Sequence, residues 1–241
     1  MPATPGFSDE LIHLPSGLTL EASFQSFSPP SSSNEAGRRL AICLHPWSRL
    51  GGNMDDPVLK MVAGRLASKH KFDVLRYNSR GVGRSSGSAS FAGFSEAEDL
   101  KEVVKYATKN IQDVQHVLLL GYSNGCLPAS LHPVLERPIV TSHILLSYPL
   151  GPRGFLTLFN SKTYQQSLET LLGNPRAHVL LLYGDVDEFT GVGSYEPWAQ
   201  NLQSISDNAH RLVVQCVDGG THFWRGDAAR RMLAAIDTFI E

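Results

Sequence analysis

Val117-Leu118-Leu119-Leu120-Gly121-Tyr122-Ser123-Asn124-Gly125 is the most informative stretch of the chain. Four aliphatic residues stopped by a glycine read as a buried strand. The G-x-S-x-G pattern that follows needs its glycines because a sharp turn from strand into helix crowds the backbone, and that turn lifts the serine hydroxyl above the sheet edge. A helix is expected after the motif, kept short or kinked by Pro128 and Pro133, which remove amide donors. Its first turn lies ahead of Pro128 and sets a backbone amide and the positive end of the helix dipole beside Ser123. The plainer reading is a glycine-rich turn with an idle serine, and the strand-turn-helix order weighs against it.

Outward from this point, residues 11–14 and 18–27 read as an antiparallel pair turned at Ser16-Gly17. Residues 40–44 (LAICL), 73–77 (DVLRY), 144–147 (ILLS), 179–183 (VLLLY) and 211–217 (RLVVQCV) read as further strands. Between them the apolar spacing becomes helical. Val58, Val62 and Leu66 follow an Asp56 cap with Pro57 at the first helical position. Leu100, Val103, Val104 and Ala107 follow a Ser95/Glu98 capping box, and Met232, Leu233, Ile236 and Ile240 follow Asp227 as a cap. This alternation predicts an α/β fold of about eight mostly parallel strands with helices on both faces, in a single domain over residues 1–241. SPPSSSNEAG, residues 28–37, reads as an exposed loop rather than a linker. Residues 150–177 are too few for a cap domain, so any lid there is one or two small helices.

Charge and composition exclude several classes. There are 21 Lys and Arg against 23 Asp and Glu, and neither Arg38-Arg39 nor Lys69-His70-Lys71 extends into a basic stripe, so nucleic acid is not an expected partner. No stretch approaches the roughly 18 apolar residues of a membrane span, and the first ten residues lack a basic start followed by an apolar run. Cys43, Cys126 and Cys216 are odd in number, widely spaced and without a CxxC, which argues against a disulfide framework or a zinc ribbon. A reducing, cytoplasmic setting is expected, with no metal or organic cofactor. Oligomeric state stays open.

A serine is a weak nucleophile at neutral pH and requires a base. Sites in open α/β sheets form at the carboxyl ends of strands. That disfavours His13, His116, His143, His178 and His210, which precede or lie within strands, and His70 and His132, which belong to helical segments. His45 and His222 remain, and His222 sits in Gly219-Gly220-Thr221-His222-Phe223, between the last strand and the last helix. The base needs a carboxylate to fix its tautomer. Asp185 and Asp187 in Gly184-Asp185-Val186-Asp187-Glu188 both leave the carboxyl end of a strand; Asp187 is preferred, with Asp185 shaping the turn through its side chain.

GYSNG, GDVD and GGTH in this order resemble the α/β-hydrolase superfamily, from Leu40 to the end of the chain. His45-Pro46-Trp47, Gly51-Gly52-Asn53-Met54-Asp55 and residues 76–85 (RYNSRGVGRS) are similar to a group of small, nearly lidless cytosolic serine hydrolases with an HP, GG, MD pattern. The resemblance implies Ser123 as nucleophile, Asp187 as acid, since the superfamily's acid usually stands three residues past its glycine, and His222 as base. RGVGRSSG lacks the GK[ST] ending of a phosphate loop, and the superfamily carries a structural turn there.

A tetrahedral intermediate requires two amide donors, one from the residue after the serine and one from the loop after the third strand. Those are Asn124 and Trp47; Pro46 has no N–H, and the family pattern puts the donor at the next position. His45 is then an anchor of this loop. Cys126 reads as inert packing. Tyr122, Phe189, Phe223 and Trp224 are the expected substrate-binding residues; for Phe189, Phe223 and Trp224, as for Phe155, Phe159 and Trp198 in segments beside the site, core filling is an equal reading. The expected activity is cleavage of a small-molecule carboxylic ester or thioester through an acyl-enzyme. Lyase or acyltransferase chemistry, and a ligand-binding protein without catalysis, remain open on the same fold.

Overall fold

A computed structural model describes residues 8–27, 37–90, 92–157, 159–206 and 211–241; His210 and most of the 28–37 loop lie outside them. The chain order is β1 (Ser8–His13), β2 (Thr19–Gln25), β3 (Arg38–Leu44), α1 (Pro57–Ser68), β4 (Asp73–Tyr77), α2 (Phe94–Asn110), β5 (Val114–Tyr122), α3 (Cys126–Leu131) and β6 (Val140–Leu146). It continues with α4 (Arg153–Leu156), α5 (Ser161–Gly173), β7 (Val179–Gly184), α6 (Val192–Ile205), β8 (Leu212–Val217) and α7 (Gly226–Ile240). The strands form one sheet in the order β1-β2-β4-β3-β5-β6-β7-β8. β2 pairs antiparallel with β1 and β4, and every other neighbour is parallel.

Successive side chains of a strand point to opposite faces, so a strand buried on both sides is apolar throughout. In β5, Val117 and Leu119 enter the core beneath α2, α3, α5 and α6, while Leu118 and Leu120 enter the core beneath α1 and α7. β3 divides in the same way, with Leu40, Ile42 and Leu44 on the first face and Ala41 and Cys43 on the second. Each such leucine, fully buried, contributes about 1.5–3 kcal/mol.

This topology determines where a site can form. The chain leaves β3 toward α1 on one face and leaves β5 toward α3 on the other. β3 and β5 are neighbours, so their carboxyl ends open a crevice at the topological switch point.

Two helix starts differ from the sequence reading. α2 begins at Phe94 after Gly93 in the left-handed region, so Ser95 is inside the helix and caps nothing; Glu96 instead reaches back to the Ser90 amide at 2.7 Å. The left-handed Gly93 starts the helix early. α7 begins at Gly226 after Arg225, which puts Asp227 in the first turn, where it pairs with Arg230 and Arg231 rather than capping. Asp56 does cap α1, its Oδ1 accepting from the amides of Val58 and Leu59. Among its described residues the 150–177 segment carries only α4 and α5.

Candidate active site

Ser123 follows directly on β5 and heads a short 3-10 turn over Ser123–Gly125 that runs into α3. Its φ is 54°, a left-handed conformation that costs a non-glycine residue about 1–3 kcal/mol. The flanking glycines make that turn possible. A Cβ on Gly121 would stand 2.5 Å from the Gly125 carbonyl oxygen, and one on Gly125 would stand 2.4 Å from that of Leu44. α3 is short, ending before Pro133.

The loops after β7 and β8 bring a carboxylate and an imidazole to this serine. Ser123 Oγ lies 2.9 Å from His222 Nε2, and His222 Nδ1 lies 2.8 Å from Asp187 Oδ2. All three residues are buried. Asp187 Oδ1 accepts the amides of Phe189 (2.8 Å) and Thr190 (3.0 Å), which fixes the carboxylate plane. A carboxylate can only accept, so Nδ1 carries the imidazole proton and Nε2 presents its lone pair to the serine hydroxyl. The β7 and β8 loops meet backbone to backbone: a Cβ on Gly184 would stand 2.0 Å from the Gly220 carbonyl oxygen.

Two contacts that the sequence did not signal hold the His222 backbone. Its N–H donates to Glu188 Oε2 at 2.7 Å, and its carbonyl accepts from Tyr122 Oη at 2.8 Å. The partners are 34 and 100 residues away in sequence. Asp185 stands apart from this network. Its Oδ1 is buried with no hydrogen-bond partner among the described residues, so its side chain does not shape the turn as expected. The turn is held instead by the backbone, Asp185 N–H to Val217 (3.3 Å) and Val186 N–H to Gly220 (3.1 Å).

His45 follows β3. Its Nδ1 is 2.6 Å from the Pro46 carbonyl oxygen and its Nε2 is 3.0 Å from the Ser79 amide nitrogen. The carbonyl can only accept and the amide only donate, so the ring is neutral with its proton on Nδ1; burial holds its pKa below the usual histidine value. His45 thus ties the β3 loop to the β4 loop. No described acceptor takes the Trp47 N–H, and Asn124 lies in the first turn after β5, where helix amides are not consumed internally. The 80–87 segment is a structural turn: Ser85 Oγ accepts from the Glu21 amide and donates to the Asn78 carbonyl.

An apolar cavity of about 450 Å³ opens over Ser123 and His222. Tyr122, Phe189 and Phe223 line it, together with Phe155 from α4. Trp224 does not. Its φ of 44° turns it under the loop into the α1/α7 core, where its Nε1 donates to Ser147 Oγ at 2.9 Å. Trp198 is core as well, and Phe159 is exposed away from the cavity lining. Cys126 is buried, its Sγ 3.1 Å from the Gly121 carbonyl oxygen, and burial pushes its thiol pKa up, which makes it a poor nucleophile.

No family model matches the chain, and no curated protein matches it in sequence. Solved structures do match in shape, and they define the architecture as the α/β-hydrolase fold. A lidless α/β serine hydrolase from Xanthomonas campestris is 22% identical, with a TM-score of 0.70 over 100% of this chain and 94% of that one. An esterase from Pyrococcus furiosus is 17% identical, with a TM-score of 0.72 over 100% and 95%. Est1E from Butyrivibrio proteoclasticus, solved with ferulic acid bound, is 17% identical, with a TM-score of 0.72 over 96% and 97%. Among the described residues no helix is long and apolar enough to cross a membrane, and no cluster of His, Cys, Asp and Glu has the arrangement of a metal site.

Proposed function

We propose that this protein is a serine hydrolase that cleaves a carboxylic ester or thioester by acyl transfer. The reading rests on one observation, the unbroken chain from Ser123 Oγ through His222 to Asp187 at 2.9 and 2.8 Å, opening into an apolar cavity. His222 Nε2 takes the Ser123 proton as the oxygen attacks the carbonyl carbon, and Asp187 stabilises the imidazolium that forms. The Asn124 and Trp47 amides donate to the developing oxyanion. His222 then gives its proton to the departing alcohol or thiol, and water repeats the sequence on the acyl-enzyme. Esters and thioesters suit the site better than amides because their leaving groups need less help from a general acid.

The experiment is steady-state hydrolysis of p-nitrophenyl and thioester substrates by wild type and Ser123→Ala. The expected loss in kcat/KM is at least about 10³-fold. A variant that kept activity within about tenfold of wild type would remove Ser123 from the mechanism.

A further inference from the structure

The cavity over Ser123 has an unbalanced electrostatic lining. No lysine or arginine lines it among the described residues, and its one carboxylate is Asp56, the cap of α1. Both helix amides fall on Asp56 Oδ1, and Oδ2 takes no hydrogen bond from the described residues. The field of Asp56 reaches the site: burial is the main cause that pushes the Tyr122 phenol upward, and Asp56 is the largest of the charges adding to it, ahead of Asp187. The other walls are rings and aliphatic groups. Leu50 and Phe155 are each 68% exposed, with Phe189 at 41% and Phe223 at 47%, so apolar area is held open at the mouth. Trp47 meets Phe155 edge to face, with ring centroids 5.9 Å apart. The nearby cations line no part of the cavity: Arg225 stands over the Phe223 ring, Arg153 over that of Tyr148, and Arg49, beside Leu50 in sequence, is exposed.

An anionic group entering this space would lose its water, meet no cation on the cavity wall and face a carboxylate there, whereas an apolar group would cover the exposed rings. We infer that the substrate is an uncharged ester or thioester with an apolar acyl group, and that Asp56 is a specificity-determining residue that excludes acyl groups ending in a carboxylate. This rests on the hydrolase reading above and adds the substrate class to it. The N-cap role does not account for the choice of acid, because Asn caps a helix as well as Asp does.

The test compares two p-nitrophenyl esters of equal length, the hexanoate and the adipate monoester, which differ only in a terminal methyl or carboxylate. The ratio of their kcat/KM values is measured for wild type and for Asp56→Asn, which preserves the cap. Wild type is expected to prefer the hexanoate by about 100-fold, and Asp56→Asn to narrow that ratio by about tenfold. Because the readout is a ratio, it does not depend on how much of each preparation is active. Equal turnover of both esters by wild type overturns this inference and leaves the hydrolase reading standing. A preference that Asp56→Asn leaves untouched overturns the role of Asp56. Failure of wild type to turn over either ester overturns both readings.

Discussion

Replacing Asp187 with Asn tests the His222 tautomer, and the outcome follows from hydrogen-bond polarity. Asp187 Oδ1 accepts two amides, from Phe189 and Thr190, and those donors require an oxygen in the variant too. The amide oxygen of the introduced asparagine is therefore held in that position, and its NH₂ replaces Oδ2, 2.8 Å from His222 Nδ1. An NH₂ group can only donate, so the imidazole moves its proton to Nε2, which then points at Ser123 Oγ and cannot accept a proton from it. We expect kcat to fall by about 10³–10⁴-fold, equivalent to about 4–5.5 kcal/mol of transition-state stabilisation, with little change in KM. Folding is spared because the variant keeps the amide bonds; its melting temperature should move by no more than about 4 °C. The assay is hydrolysis of p-nitrophenyl butyrate alongside thermal unfolding, with Asp185→Asn as control, expected within about threefold of wild type. A folded Asp187→Asn protein with kcat within tenfold of wild type, or an Asp185→Asn protein with the larger loss, would refute the reasoning.

Three further outcomes follow from the same structure. Burial holds the pKa of His143 down to about 3 and that of His116 to about 4, so both are neutral in the folded state, while in the unfolded chain they protonate near 6.5. Their stabilisation is complete above pH 6.5 and is lost as pH falls toward those values, by up to about 1.4 kcal/mol per pH unit for each; a urea midpoint unchanged between pH 7.5 and 5 would contradict this. Trp224→Phe removes the bond to Ser147 and leaves that buried hydroxyl without its donor, which should cost about 1–2 kcal/mol in urea unfolding while KM stays unchanged, since the ring does not line the cavity. Asp237→Ala frees Arg65 and Lys69 at the surface and leaves buried His70 without the carboxylate 2.7 Å from its Nε2, and the loss at His70 should cost about 1–3 kcal/mol at pH 7, read in the same assay.

Much of the fold was legible because strands buried on both faces are written as aliphatic runs, and residues 40–44, 117–120 and 179–183 all belong to central strands. The serine could be located because its turn demands glycine on both sides. Asp185 and Asp187 could not be separated by local sequence alone, since both follow β7; the backbone between them turns only Asp187 toward His222. Trp224 misled for a related reason. An aromatic two residues past His222 is near the site in sequence, but its positive φ directs the ring inward. The Glu188 and Tyr122 contacts that hold the His222 backbone were not legible, because they join segments whose approach only the sheet determines. Ser95 matched a capping pattern and lost to the left-handed Gly93 before it. Asp56 was legible as a cap, and its place on the cavity wall emerged only once β3 and β5 were side by side.

The most direct measurement is intact mass after treatment with a small fluorophosphonate, on wild type and Ser123→Ala in parallel. A hydroxyl whose proton is accepted by His222 attacks the phosphorus and displaces fluoride, leaving one stable phosphonyl adduct. The account predicts one adduct on wild type and none on Ser123→Ala. A folded wild type that takes up no adduct, or a Ser123→Ala protein labelled as fully as wild type, would contradict it.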